Sequence, residues 1–117
     1  MDLETIAREL DLTDLTPALG GGDAEVTAGY ASDLLSDVLA NAPEGGVLVT
    51  LQVHLNVVAV ASHAELAAVI FSSGRMPDAE VVAKAAAEDL RLYATDAGTF
   101  DVVGRLYGLG VTGGREA

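Results

Sequence analysis

The stretch that most constrains this chain is Val47–Ala61, VLVTLQVHLNVVAVA, an apolar run that admits Gln52, His54 and Asn56 at every second position. Its opening, Val47–Leu51, reads as a strand with both faces covered, as parallel strands between helix layers are. Two structures compete for the residues beyond Leu51. As a continuing strand, Gln52, His54 and Asn56 would share one face, opposite Val53, Leu55 and Val57. That half-polar pattern conflicts with the two-sided strand before it. The alternative ends the strand near Leu51 or Gln52 and makes Asn56–Ser62 a short helix, with Asn56 as its N-cap. Val57, Val58 and Val60 disfavour helix by only about tenths of a kcal/mol each. Two parallel strands need a crossover, and a helix is the usual one. The crossover is therefore expected. It places His54 and its neighbours at the carboxyl end of a parallel strand, where open α/β sheets hold ligands.

The remaining pattern extends this picture. Asp2–Leu10 spaces Leu3, Ile6, Ala7 and Leu10 as one helix face. Gly20-Gly21-Gly22-Asp23 marks a turn, Glu25–Tyr30 a short strand, and Ser32-Asp33 the start of a helix over Asp33–Asn41 facing inward through Leu34, Leu35, Val38 and Leu39. Leu66–Phe71 and Arg91–Thr95 read as further buried strands. Pro77-Asp78 opens a helix through Asp89, with Val81, Val82, Ala85 and Ala86 inward. A last helix is expected over Phe100–Leu109, led by Asp96 and Thr99, with Phe100, Val103, Leu106 and Tyr107 inward, followed by a frayed tail from Thr112 to Ala117. Strands alternating with helices predict a single-domain α/β fold, a three-layer sandwich whose mainly parallel sheet is flanked by helices.

Composition removes several classes of function. The 117 residues contain no Cys, which excludes disulfides, thiolate catalysis and Cys-based metal sites. Eighteen acids against six bases give a net charge of −12, a field that repels phosphate backbones, so nucleic acid is not an expected partner. No apolar window is long enough to span a membrane. The opening MDLETIAREL carries acids where a secretion signal would carry bases, and a cytoplasmic location is expected.

Gly29–Leu39 (GYASDLLSDVL), Thr50–Ala61 (TLQVHLNVVAVA) and Thr95–Leu106 (TDAGTFDVVGRL) resemble, in order, segments of a stand-alone DRTGG domain. The likeness runs from about Leu12 to Leu109. Such domains resemble the N-terminal domain of HPr kinase/phosphorylase. They also occur as inserts in CBS-containing pyrophosphatases and beside phosphotransacetylase domains. The resemblance implies a parallel α/β sheet and a regulatory or ligand-sensing role, often as a dimer, without chemistry of its own. The sequence departs from the family at its namesake residues. The Asp-Arg pair falls near Val53-His54, and the Thr-Gly-Gly falls at Ser72-Ser73-Gly74, with hydroxyls and one Gly kept.

Three strand ends then carry the candidate ligand-binding residues: Gln52, His54 and Asn56; Ser72, Ser73 and Gly74; and Thr95 with Asp96. His54 and Asn56 can bind and orient a ligand, or they can be a turn histidine and a helix cap. Ser72-Ser73-Gly74-Arg75 can offer backbone N–H groups to an anion, with Arg75 as counter-charge, or be an ordinary strand-to-helix turn. It lacks the second Gly and the Lys-Ser/Thr pair of a phosphate loop. Asp96 and Thr99 can meet a ribose hydroxyl or a metal, or cap the last helix. Asp33 and Asp37 can chelate weakly or complement a helix dipole, while His63 is expected to face water. A Ser–His–Asp convergence of Ser72 or Ser73, His54 and Asp96 has no nucleophile-elbow motif behind it. The expected function is thus a non-catalytic module that senses a small ligand, nucleotide or phosphorylated, as a homodimer and without a cofactor. The alternative is a protein-interaction subunit of a larger complex with no small-molecule ligand.

Overall fold

The computed structural model describes residues 1–114. Its elements run α1 (Leu3–Glu9), β1 (Thr13–Asp14), β2 (Gly29–Ala31), α2 (Leu35–Asn41), β3 (Val47–Thr50), α3 (Asn56–His63), β4 (Ala68–Phe71), α4 (Ala79–Ala87), β5 (Arg91–Ala94) and α5 (Thr99–Gly108). The strands form one sheet in the order β1-β5-β4-β3-β2. Strands β2 to β5 are mutually parallel, and β1 runs antiparallel on β5. This is the three-layer α/β sandwich that the strand and helix alternation predicts.

Every residue of β3 and β4 is buried, because alternate side chains enter different helix layers. Val47, Val49, Ala68 and Ile70 pack against Leu3 and Ile6 of α1 and Val102 and Leu106 of α5. Leu48, Val69, Phe71 and Leu92 pack against Val38 of α2, Val57, Val58 and Ala61 of α3, and Val81 and Ala85 of α4. Two cores back to back explain why these strands show no polar alternation.

The layering also fixes where a ligand can enter. The crossovers after β2, β3 and β4 all lead to the α2–α4 face, whereas the chain leaving β5 passes to the α1–α5 face. Neighbouring strands β4 and β5 therefore send their connections to opposite faces. Such a divergence opens a crevice at the carboxyl edge of the sheet.

Several local expectations need correction. The strand expected at Glu25–Tyr30 forms later, at Gly29–Ala31, and Glu25 only bridges to Asp2. Two-residue β1 has no signal in the sequence, being too short to show alternation. Helix α2 begins at Leu35, not Asp33, and of its expected inward face Leu34 and Leu39 lie 64% and 47% exposed. Pro77 precedes the N-cap of α4 instead of occupying its first turn, and Ala86 faces outward. In α5 the inward residues are Val102 and Leu106. Phe100, Val103 and Tyr107, expected inside, are exposed. The helix's rotation is set by Thr99, on the same side as Val102 and Leu106, whose hydroxyl is tied 2.6 Å from that of buried Ser72. Beyond α5, Val111 is buried and the Thr112 carbonyl accepts from Gly29 N–H at 2.8 Å. The rest of the expected tail, 115–117, lies outside the described residues. No helix among the described residues is long and apolar enough to cross a membrane.

Candidate ligand-binding site

The carboxyl ends of β2 to β5 share one edge, and the polar residues singled out in the sequence gather there in two separate groups. At the β2–β3 end the chain turns just past Thr50, as the crossover reading requires. Asp33, expected in the first turn of α2, lies ahead of that helix. Its carboxylate Oδ1 instead accepts from the buried Thr50 hydroxyl at 3.0 Å and from Leu51 N–H at 2.7 Å. The Thr50 oxygen accepts in turn from Gln52 N–H, Gln52 Oε1 from His54 N–H, and His54 Nδ1 from Asn56 N–H. This is a chain of local turns in which each side chain holds the backbone two residues on. Asn56 does not cap α3: the N-cap is Leu55, with no side-chain cap bond, and Asn56 is the first residue of the helix. Asp37, the other half of a conceivable chelating pair, accepts from Tyr30 and Asn41. No cluster of three metal-ligating side chains exists among the described residues. His63, at the end of α3, is exposed as expected.

The β4–β5 end is built differently. Ser73 and Gly74 both take left-handed backbone conformations, φ 58° and 72°, which fold the connection back over β5. The turn's N–H groups are all engaged: Ser72 to Thr50 O, Ser73 to Ala97 O, Gly74 to Thr95 O and Arg75 to Ser72 O. They are not open to an anion, so the loop braces the site and is no backbone cradle. Ser72 is fully buried, and its hydroxyl meets Thr99. Neither serine hydroxyl is hydrogen-bonded to His54. The N-cap of α5 is Gly98, without a side-chain cap bond, which corrects the capping role expected of Asp96 and Thr99. The Asp96 carboxylate is exposed and makes no hydrogen bond or ion pair among the described residues. It lies over Gly74, where an added Cβ would sit 3.4 Å from Oδ1.

Beside the β4–β5 end, against the α1–β1 connection, lies a cleft of about 370 Å³, lined by Leu10, Asp11, Thr13, Gly74, Met76, Ala94, Thr95, Asp96 and Arg105. Its volume falls within the range of small-molecule sites, about 300–1,000 Å³. A second crevice, beside Tyr30, Leu106 and Val111, is apolar and only about 140 Å³. The first cleft coincides with the switch between β4 and β5. It collects Gly74, Thr95 and Asp96 of the expected residues, and leaves Gln52, His54, Asn56, Ser72 and Ser73 outside its lining. It adds six residues that were not expected at a site, Leu10, Asp11, Thr13, Met76, Ala94 and Arg105. Asp11 and Thr13 arrive because β1 pairs Thr13 with Ala94. Arg105 arrives because of the helix rotation set by Thr99. Only a correct α5 register, placing Arg105 outward beside the strand end, would have found it. Arg105 forms no ion pair among the described residues, unlike Lys84, held by Glu88, and Arg91, held by Asp89. One free guanidinium, two carboxylates and the threonine hydroxyls thus face a common space. Such a set can bind an anion at one end and sugar-type hydroxyls at the other.

No protein-family model matches this sequence, and neither does any curated protein. Among solved structures it is similar to the CBS and DRTGG domains of the regulatory region of Clostridium perfringens pyrophosphatase, which were crystallised with the activator diadenosine tetraphosphate. The TM-score is 0.68 at 12% sequence identity. The match covers 97% of this chain and 48% of that one, so the chain spans about half the length of its structural neighbour. The likeness supports a DRTGG-like fold. That neighbour is a regulatory region, not a catalytic one.

Proposed function

We propose that this chain is a non-catalytic, DRTGG-like regulatory module of the cytoplasm that senses a nucleotide or similar phosphorylated ligand and works as a homodimer. The observation that carries the reading is the cleft at the β4–β5 switch, where Arg105, Asp96 and Asp11 are free to meet a ligand. Arg105 would hold a phosphate by charge-assisted hydrogen bonds. Asp96 and Thr95 would take ribose hydroxyls. The paired carboxylates oppose a bare anion, so a ligand with hydroxyls as well as phosphate suits the cleft better than inorganic phosphate does. The fold shared with a regulatory region that binds a dinucleotide activator supports the same direction, although fold alone does not assign function. The experiment is a thermal-shift comparison of AMP, ADP, ATP, sugar phosphates and inorganic phosphate. At about one hundred times its dissociation constant a ligand adds about 2.7 kcal/mol, a rise of several degrees. A nucleotide should give that rise, phosphate should give little, and Arg105→Ala should lose most of it while folding normally. Indifference to the whole panel would refute the reading.

A further inference from the structure

The cleft at the β4–β5 switch offers groups for the phosphate and the hydroxyls of a nucleotide, yet none of the described side chains lining it is aromatic. An exposed ring stands just beyond its border. This chain has only two Phe, and one of them, Phe100, is 89% exposed in the first turn of α5. It walls a neighbouring open hollow of about 520 Å³, lined by Ala97, Phe100, Asp101, Gly104 and Arg105. The two spaces meet twice. Arg105 lines both, and Asp96 on the cleft side is followed in the chain by Ala97 on the other. At about 100° per residue, Phe100 and Arg105 stand about 140° apart round α5, with Gly104 and Asp101 between them. Gly104 has no side chain, and an added Cβ there would meet nothing within 4 Å, so the hollow is open between these walls. Arg105 is the one basic side chain lining either space among the described residues, whereas Asp101 adds a carboxylate to the hollow. That charge repels phosphate, so the part of a ligand suited to the hollow is an uncharged one.

We infer that Phe100 is the platform for the aromatic base of the ligand, which makes the site specific for a nucleotide over a sugar phosphate. The inference rests on the ligand-sensing cleft proposed above and adds the base and the residue that selects it. With the ribose at Thr95 and Asp96 and the phosphate on Arg105, the base leaves the sugar across the Asp96–Ala97 step. It then lies over Ala97 and Gly104 against the Phe100 ring. Stacking of a base on a protein ring raises affinity about ten-fold or more, and it tolerates any base because each has a π face. A sugar phosphate has nothing to place there. Val103 and Tyr107, farther along the helix, take no part.

The test is calorimetric titration of AMP and of ribose 5-phosphate into the chain, two ligands that share phosphate and sugar hydroxyls and differ in the base. AMP should bind wild type about ten-fold or more tightly than ribose 5-phosphate does. Phe100→Ala alters an exposed side chain and should keep the fold, checked by circular dichroism. It should weaken AMP by a similar factor, to the level of ribose 5-phosphate, and leave ribose 5-phosphate binding as it was. The chain has no Trp, so Phe100→Trp introduces a single indole at this place. Its fluorescence should be quenched by AMP and not by ribose 5-phosphate. Equal affinity of wild type for the two ligands overturns the inference. So does AMP binding that ignores Phe100→Ala and leaves the introduced indole unquenched. In both of those cases a ligand still occupies the cleft. Failure of the cleft itself looks different, because neither ligand then binds wild type and both readings fall.

Discussion

The β2–β3 and β4–β5 ends of the sheet carry similar side chains, acids and hydroxyls beside an imidazole in one case and a guanidinium in the other. What separates them is how much of their hydrogen-bonding capacity the fold already uses. At β2–β3, Asp33, Thr50, Gln52 and His54 hold one another and the backbone. At β4–β5 the serine turn is equally closed, yet Asp96 and Arg105 have no hydrogen-bond or ion-pair partner among the described residues and stand beside a cleft. A row of polar residues at strand ends therefore does not by itself make a site. The β2 and β3 connections leave toward one face and can brace each other, while those of β4 and β5 part and leave room between them.

The sharpest way to break this comparison is to remove the brace. Asp33→Ala strips the acceptor from the buried Thr50 hydroxyl and from Leu51 N–H, and should cost about 2 to 3 kcal/mol in urea unfolding. Asp33→Asn, which keeps an acceptor oxygen, should recover part of the loss. If Asp33→Ala unfolds like wild type, the β2–β3 end is not held by these bonds and the contrast fails. A smaller effect is expected at the other end. Thr99→Val leaves the buried Ser72 hydroxyl without its partner and should cost about 1 to 2 kcal/mol. Adding Ser72→Ala should restore much of it, because a pair removed together leaves nothing unsatisfied. Equal losses in single and double variants would mean that the hydroxyl pair does not set the rotation of α5.

The least effect belongs to the amino edge, which serves as a control for both. There Glu65 lies beside Glu44 and, by hydrogen bonding and repulsion, raises the Glu44 carboxyl above its ordinary range. A group with a raised pKa binds its proton more tightly in the folded state. Its stabilisation is thus complete at low pH and is lost as pH climbs from the ordinary glutamate range through the raised value. Wild type should show that small decline in thermal scans across mildly acidic pH, and Glu44→Gln should flatten it. A variant with an unchanged profile would remove the coupling.

The layered fold was legible in the sequence because Val47–Leu51 and Leu66–Phe71 are apolar on both faces, a pattern that only a covered parallel strand requires. The turn beyond Leu51 was legible for the same reason, since three alternate polar residues do not fit such a strand. The candidate site was legible in part. Gly74, Thr95 and Asp96 could be placed because they follow strands. Arg105 could not, because α5 offers two apolar stripes, Phe100–Val103–Tyr107 and Val102–Leu106, and periodicity cannot choose between them. The choice is made by a tertiary hydrogen bond between Thr99 and Ser72, more than two dozen residues apart. Asp33 shows the converse. In sequence it looks like the acid of a first helical turn, and the distant Thr50 takes its carboxylate instead.

Ligand binding in the cleft at the β4–β5 switch is tested most directly by backbone amide NMR during an ATP titration. Shifts concentrated at Thr13, Gly74, Thr95–Ala97 and Arg105, with Gln52–Asn56 unmoved, are the predicted result. Shifts centred on Gln52–Asn56 with the Thr95–Ala97 amides silent would contradict it.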